Sequence, residues 1–254
     1  PDILAVSLSS HDYINHGFSA ESRISHDHVL HLDRHLERFF RDLDATIGKD
    51  RYVVALTADH GFMPAPEVSQ AQGRDAGRLS GSQLVARLNA GLSERFGKGQ
   101  WVLGISAQAV VLNHALVAER KVDAAALQEE TRKLLLAENA VAAAYTRAEI
   151  ESGSRAGAPF FEQIRRAWYS ERSADIAVVL KPYWMYGSST SMTTHGSPHP
   201  YDTQVPILFY GPRWVKASRV DTRVEVADIA PTLARILGIP PPSSSEGKPL
   251  PLGP

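Results

Sequence analysis

The chain has 254 residues, of which 43% are hydrophobic and 22% charged, enough to bury a full core as one large domain or as one domain carrying an insertion. A net charge of -1 without any run of Lys or Arg leaves no electrostatic footprint for nucleic acid or an anionic membrane, so nucleic acid is not expected as a partner. There is no cysteine, which excludes disulfides and thiolate metal sites; no apolar run approaches the roughly 20 residues of a membrane-spanning helix, and no basic-then-apolar signal peptide opens the chain.

In chain order, "DILAVSL" (2–8) and "YVVALTA" (52–58) are short apolar runs of the kind found in parallel sheets covered on both faces. Between them Val29, Leu32, Leu36, Phe40, Leu43 and Ile47 recur at helical spacing, and Gly48 follows as a stop. This predicts a strand, helix, strand unit whose right-handed crossover puts both strands in one parallel sheet. Because the first strand starts at once after Pro1, a natural start further upstream is expected.

The pattern changes from about residue 64 to 173. "MPAPEVSQAQGRDAGRLSGSQ" reads as a long loop, "SQLVARLNAGLSERF" as a helix and "WVLGISAQAVVLN" as strands. "VDAAALQEETRKLLLAE" then reads as a helix, "AVAAAYT" as a strand and "FFEQIRRAWYSER" as a helix. Together these predict an inserted α+β subdomain over 64–173 that shapes substrate access, between core segments 1–63 and 174–254. "ADIAVVLKPYW" is expected to return to the core as a strand and "QVPILFYG" to add another. "VADIAPTLARILGI" is expected as a helix with Asp228 as N-cap and Pro231 in its first turn. The predicted class is α/β, a mostly parallel central sheet with helices on both faces plus the insertion.

Polar residues gather where these strands end. "SSHDYINHGF" offers Asp12 and His16 four residues apart, "TADHGFMP" offers Asp59 and His60, and "TTHGSPHPYD" offers His195, His199 and Asp202. Ligands of open α/β sheets collect outside the carboxyl ends of strands, so the segments are expected to converge. Two carboxylates and three imidazoles at one locus would repel one another unless a cation sat among them. Nitrogen and oxygen donors without sulfur suit Zn²⁺, with Mn²⁺, Co²⁺ and Fe²⁺ as alternatives. His11 and His199 are each open to a supporting hydrogen bond, a substrate contact or a plain loop position. Asp202 could orient a ligand imidazole or cap the turn before "QVPILFYG". His28, His31 and His35 lie beside or behind the apolar stripe of their helix and read as surface.

The ordered set "D-x-x-x-H", "ADHG" and "THGSPHPYDTQVPILFYG" resembles the metal-binding half of the alkaline phosphatase superfamily, in particular the bacterial phosphate-irrepressible phosphatases and the type I phosphodiesterase/nucleotide pyrophosphatase group. The resemblance covers segments 1–63 and 174–250. It implies two zinc ions, the first held by Asp12, His16 and His195, the second partly by Asp59 and His60. The remaining ligands of the second ion, and the nucleophilic Thr or Ser, belong to sequence upstream of Pro1, so this chain looks like the C-terminal part and is expected to be inactive alone. Some relatives carry a glutamate five residues before the first aspartate as ligand to a third ion. Here that position is Ser7, so no third magnesium site is expected.

The resemblance also implies a zinc-dependent hydrolase of small phosphate esters, periplasmic or secreted, whose "HGSPHPYD" favours phosphomonoesters. Alternatives are a phosphodiesterase or nucleotide pyrophosphatase, a sulfatase of the same superfamily, or a non-catalytic domain that metal only staples together.

Overall fold

The computed structural model describes residues 2–187 and 190–252. In chain order it contains α1 (Ser10–Phe18), α2 (Arg23–Thr46), β1 (Val54–Thr57), α3 (Pro66–Ala71), β2 (Gly77–Leu79), α4 (Gly81–Phe96), β3 (Val102–Ser106) and β4 (Ala109–Leu112). There follow α5 (His114–Arg120), α6 (Ala124–Leu136), β5 (Val141–Thr146), α7 (Arg147–Ser152), α8 (Phe161–Ala167), β6 (Ile176–Leu180), β7 (Trp184–Tyr186), α9 (Pro200–Thr203), β8 (Ile207–Tyr210) and α10 (Ile229–Leu237). The expected α/β class holds. The chain divides into two compact units, one of residues 1–14, 22–61 and 203–254, the other of residues 15–21 and 62–202.

In the first unit, β1 and β8 pair antiparallel with Thr57 opposite Ile207. The Thr57 hydroxyl also donates to the Pro206 carbonyl at 2.9 Å, fixing the strand end that leads into Asp59 and His60. Helix α2 starts where the Ser22 side chain accepts the Ser25 amide and stops before Gly48, whose φ of +103° few side chains tolerate. Asp228 does not cap α10 through its side chain. It closes a short 3₁₀ turn by accepting the Glu225 amide, and it takes the Lys248 amide with its other oxygen.

One expected strand is not there. Residues 2–8 form no ladder among the described residues, and Ile3, Leu4 and Val6 are each more than 60% exposed. β propensity alone does not make a strand, because backbone N–H and C=O groups need a neighbour to pair with. The parallel pairing of 2–8 with 52–58 is therefore absent, and the one parallel pair among the described residues is β2 with β7.

The second unit holds the core. Its four-stranded antiparallel sheet runs β3-β4-β6-β5, so "ADIAVVL" lies between β4 and β5 rather than beside β1. Along β6, Ile176, Val178 and Leu180 enter the larger cluster with Leu84, Leu88, Trp101 and Leu127, while Ala177 and Val179 face Ile150 and Phe161. Both faces are covered, which is why an antiparallel strand here is a continuous apolar run. The segment expected as one long loop instead contains α3, with Pro66 at its start where a missing N–H costs nothing, and the three residues of β2. A Cβ at Gly77 would stand 2.8 Å from the Trp184 ring, so glycine permits the close approach of β2 to β7. Among the described residues no helix is long and apolar enough to cross a membrane.

The edge strand β3 is closed by a side chain. Asn89 of α4 donates to the Val102 carbonyl at 3.0 Å and accepts the Val102 amide at 2.9 Å, as a neighbouring strand would. Asn89→Leu keeps the volume and strands both groups, and should cost the second unit about 2 kcal/mol in urea unfolding followed by tryptophan fluorescence.

Candidate metal centre

Asp12 and His16 fall on one helix, α1, at a spacing of four residues that stacks their side chains on one face. The rest follows within each unit. In the first, His60 turns its Nδ1 to the Gly61 carbonyl at 2.8 Å. A carbonyl only accepts, so Nδ1 carries a hydrogen, and Nε2 is the ring nitrogen left to meet other groups. That Nε2 stands 3.7 Å from an Asp12 oxygen and 3.7 Å from an Asp59 oxygen. Such separations are too long for hydrogen bonds. A ring nitrogen facing two carboxylates is an arrangement that a cation among them would stabilise.

The second unit repeats the device. His16 donates from Nδ1 to the Thr193 carbonyl at 3.0 Å, so its Nε2 is likewise the ring nitrogen left to meet other groups. Its ring lies 5.0 Å from that of His195, and Phe62 stands edge-on to both, at 5.0 and 5.1 Å. His16 and His195 offer ligand atoms within 4.8 Å of one another. Hydrogen bonds from ligand imidazoles to backbone carbonyls are the usual means of fixing tautomer and ring orientation at metal sites.

The strand of chain before His195 is held on both sides. Buried Thr193 donates from its hydroxyl to the Met63 carbonyl at 2.5 Å, the Met63 amide donates to the Thr194 carbonyl at 3.2 Å, and the Met192 amide donates to the His16 carbonyl at 2.8 Å. Neither Phe62 nor this use of Thr193 was expected from the sequence. The signal available was only their adjacency to His60 and His195.

His199 and Asp202 are placed differently from the other candidates. His199 is 2% exposed and its Nε2 donates to the Leu180 carbonyl at 2.8 Å. Its ring packs edge-on to Phe160, at the start of α8. Asp202 accepts the Ser197 amide at 2.7 Å and the Ser197 hydroxyl, closing the turn after His195. His11 is part of α1 rather than a loop; its ring stacks on His28, and burial together with His28 lowers its pKa. His31 and His35 sit on the outer side of α2, beside Asp27 and Arg38.

The sequence profile described as type I phosphodiesterase / nucleotide pyrophosphatase matches residues 1–202. The chain is 34% identical over 253 residues to a protein of Myroides odoratus named calcium-transporting ATPase, covering 98% of this chain and 45% of that one. It is 33% identical over 253 residues to alkaline phosphatase PhoV of Synechococcus elongatus (97% and 44%) and 30% identical over 250 residues to alkaline phosphatase PafA of Elizabethkingia meningoseptica (98% and 45%). A crystal structure of wild-type PafA matches with a TM-score of 0.86 at 29% identity, over 97% of this chain and 46% of that one. The chain thus spans about half the length of the curated relatives it matches.

The hold on the His195 segment predicts a local effect. Thr193→Val is nearly isosteric but leaves the Met63 carbonyl without its buried donor, and should lower stability by about 1–3 kcal/mol in thermal or urea unfolding.

Proposed function

The chain belongs to the type I phosphodiesterase / nucleotide pyrophosphatase family, in the alkaline phosphatase superfamily, and from that premise we propose that it forms the metal-binding C-terminal part of a zinc-dependent phosphate ester hydrolase. Asp12, His16 and His195 would hold one ion, and Asp59 and His60 would contribute to a second. The observation that carries this reading is the repeated hydrogen bond from Nδ1 to a carbonyl, at His16 and at His60, which leaves Nε2 of each ring as the nitrogen a metal could take. The donor set of carboxylate oxygen and imidazole nitrogen without sulfur fits zinc. Paired divalent ions supply positive charge for the phosphoryl oxygens and for the attacking and leaving oxygens of an in-line displacement.

Around such a centre the chain's own residues have distinct tasks. The Thr193 and Gly61 carbonyls hold two imidazoles in one orientation. Phe62 fills the space beside His16 and His195 with an apolar ring, which excludes water from that flank and strengthens electrostatic interactions there. Asp59, whose side chain is 92% exposed, keeps its carboxylate open to solvent. We assign His199 and Asp202 to anchoring the loop after His195, since both are buried and bonded to the protein.

The nucleophilic Thr or Ser, and the other ligands of the second ion, are on this reading contributed by the further half of a protein as long as its relatives, with which this chain would be partnered. Phosphomonoesters are the favoured substrates, supported by "HGSPHPYD" and by the names of the phosphatase relatives. A periplasmic or secreted location fits the same resemblance. A third ion is not part of the proposal, because Ser7 stands where its glutamate would be.

In the intact protein, p-nitrophenyl phosphate should be hydrolysed faster than its diester and its sulfate, and a chelator should abolish all three rates. His195→Ala should lower monoester turnover at least about 100-fold while circular dichroism stays that of the folded protein, because even residues that only support a ligand cost 10–100-fold. Unchanged turnover in His195→Ala would contradict the assignment. Destabilisation by chelator with no hydrolysis of any ester would favour a purely structural metal.

A further inference from the structure

We propose that the second unit positions His195 through two side chains outside the ligand set, Gln108 from the β3–β4 turn and Arg78 from β2. The inference rests on the metal reading above only for its consequence; the clamp itself lies wholly within the second unit.

Gln108 occupies an unfavourable place for its type. Ala107 and Gln108 form the two-residue turn between β3 and β4, and both have positive φ, +46° and +60°. Such turns favour Gly, Asn or Asp, because a longer side chain with positive φ is strained. What Gln108 gains there is reach. Its Nε2 donates to the Gly196 carbonyl at 3.0 Å, and its own carbonyl accepts the Val178 amide at 2.9 Å, which ties the turn to β6. Gly196 itself has φ +96°, and a Cβ there would lie 3.4 Å from that same Nε2. The residue directly after His195 is thus pinned from the sheet.

Arg78 holds the other side. Its guanidinium donates to the Met192 carbonyl at 2.6 Å and to the Ser191 carbonyl at 3.3 Å, while Glu67 of α3 grips it through two oxygens at 2.7 and 3.0 Å. The Arg78 hydrogen bonds hold the Glu67 carboxyl below the usual range, which keeps the pair ionised. A planar guanidinium satisfies these acceptors at once, as an ammonium could not. Between the two clamps the chain has only residues 193–195 to place, and Thr193 and Thr194 are already tied to Met63. The backbone that carries the imidazole of His195 is thus held on both sides. Subdomain residues that touch no ligand therefore set the aim of one.

The test separates positioning from stability. In the intact protein, Gln108→Gly relieves the strained turn, so the melting temperature should stay level or rise. Zinc affinity, read by competition with a chromophoric chelator, should fall about tenfold, and Arg78→Lys should weaken it similarly. Gln108→Asn keeps the amide and tolerates positive φ but is one methylene too short; it should match Gln108→Gly, and it serves if the glycine variant does not fold. In metal-free protein, amide exchange at Met63 and Ser197 should quicken in all three variants. Parent-like zinc affinity and parent-like exchange in Gln108→Gly and Gln108→Asn would overturn the inference. A parent protein that binds no zinc would sink the metal reading, and the metal-free exchange rates would still decide the clamp.

Discussion

The hydrogen bond from His16 Nδ1 to the Thr193 carbonyl is the constraint on which the centre depends. It does two things with one proton. It leaves Nε2 as the ring nitrogen that meets other groups, and it ties α1 to the segment that carries His195. The reciprocal bond from the Met192 amide to the His16 carbonyl makes the tie two-sided. His60 uses the same chemistry locally, against the carbonyl of the next residue. Imidazole nitrogens and carboxylate oxygens gathered in this way form a donor set that suits a divalent ion.

The core explains how such a constraint can be kept. The largest fully buried side chains among the described residues, from Trp101 to Phe161 and Ile176, belong to the second unit. Its sheet is covered on both faces, and from its last strand, β6, the chain passes through β7 to the His195 segment. Backbone groups of that segment are bonded to Met63, Arg78, Gln108 and Asp202, the last three anchored in turn in a strand, a tight turn and a helix. A side chain that must point one way is held by a backbone with few alternatives. The first unit is organised otherwise, with β1 and β8 half exposed and α2 carrying apolar residues such as Val29 and Leu30 on its surface.

The candidate site could be read from the sequence because metal chemistry restricts residue types. Asp12 with His16, Asp59 with His60, and His195 stood out as carboxylate and imidazole groups at the ends of apolar runs, and the helix spacing of the first pair is realised in α1. The class α/β was legible, and so were α4, α6 and α8 of the middle segment, whereas the short α3, α5 and α7 were not. What failed did so for identifiable reasons. Residues 2–8 have the composition of a strand, but no described neighbour shares their ladder. "ADIAVVL" was expected to return as a strand to a mostly parallel core, yet an antiparallel sheet buried on both sides takes the same apolar residues. His199 looked like a loop histidine because burial of a ring against Phe160 leaves no local trace. Gln108 was invisible: a glutamine in a turn has no pattern, and only its positive φ and its reach to Gly196 give it meaning.

The central claim is that the tips of Asp12, His16 and His195 enclose a divalent ion. Anomalous diffraction at the zinc edge, from crystals of the intact protein grown with zinc, tests it most directly. The account predicts a peak bounded by an Asp12 oxygen and the Nε2 atoms of both imidazoles, about 2.0–2.2 Å from each. No peak at those side chains, or a zinc ion bound elsewhere while they bond to one another, would contradict it.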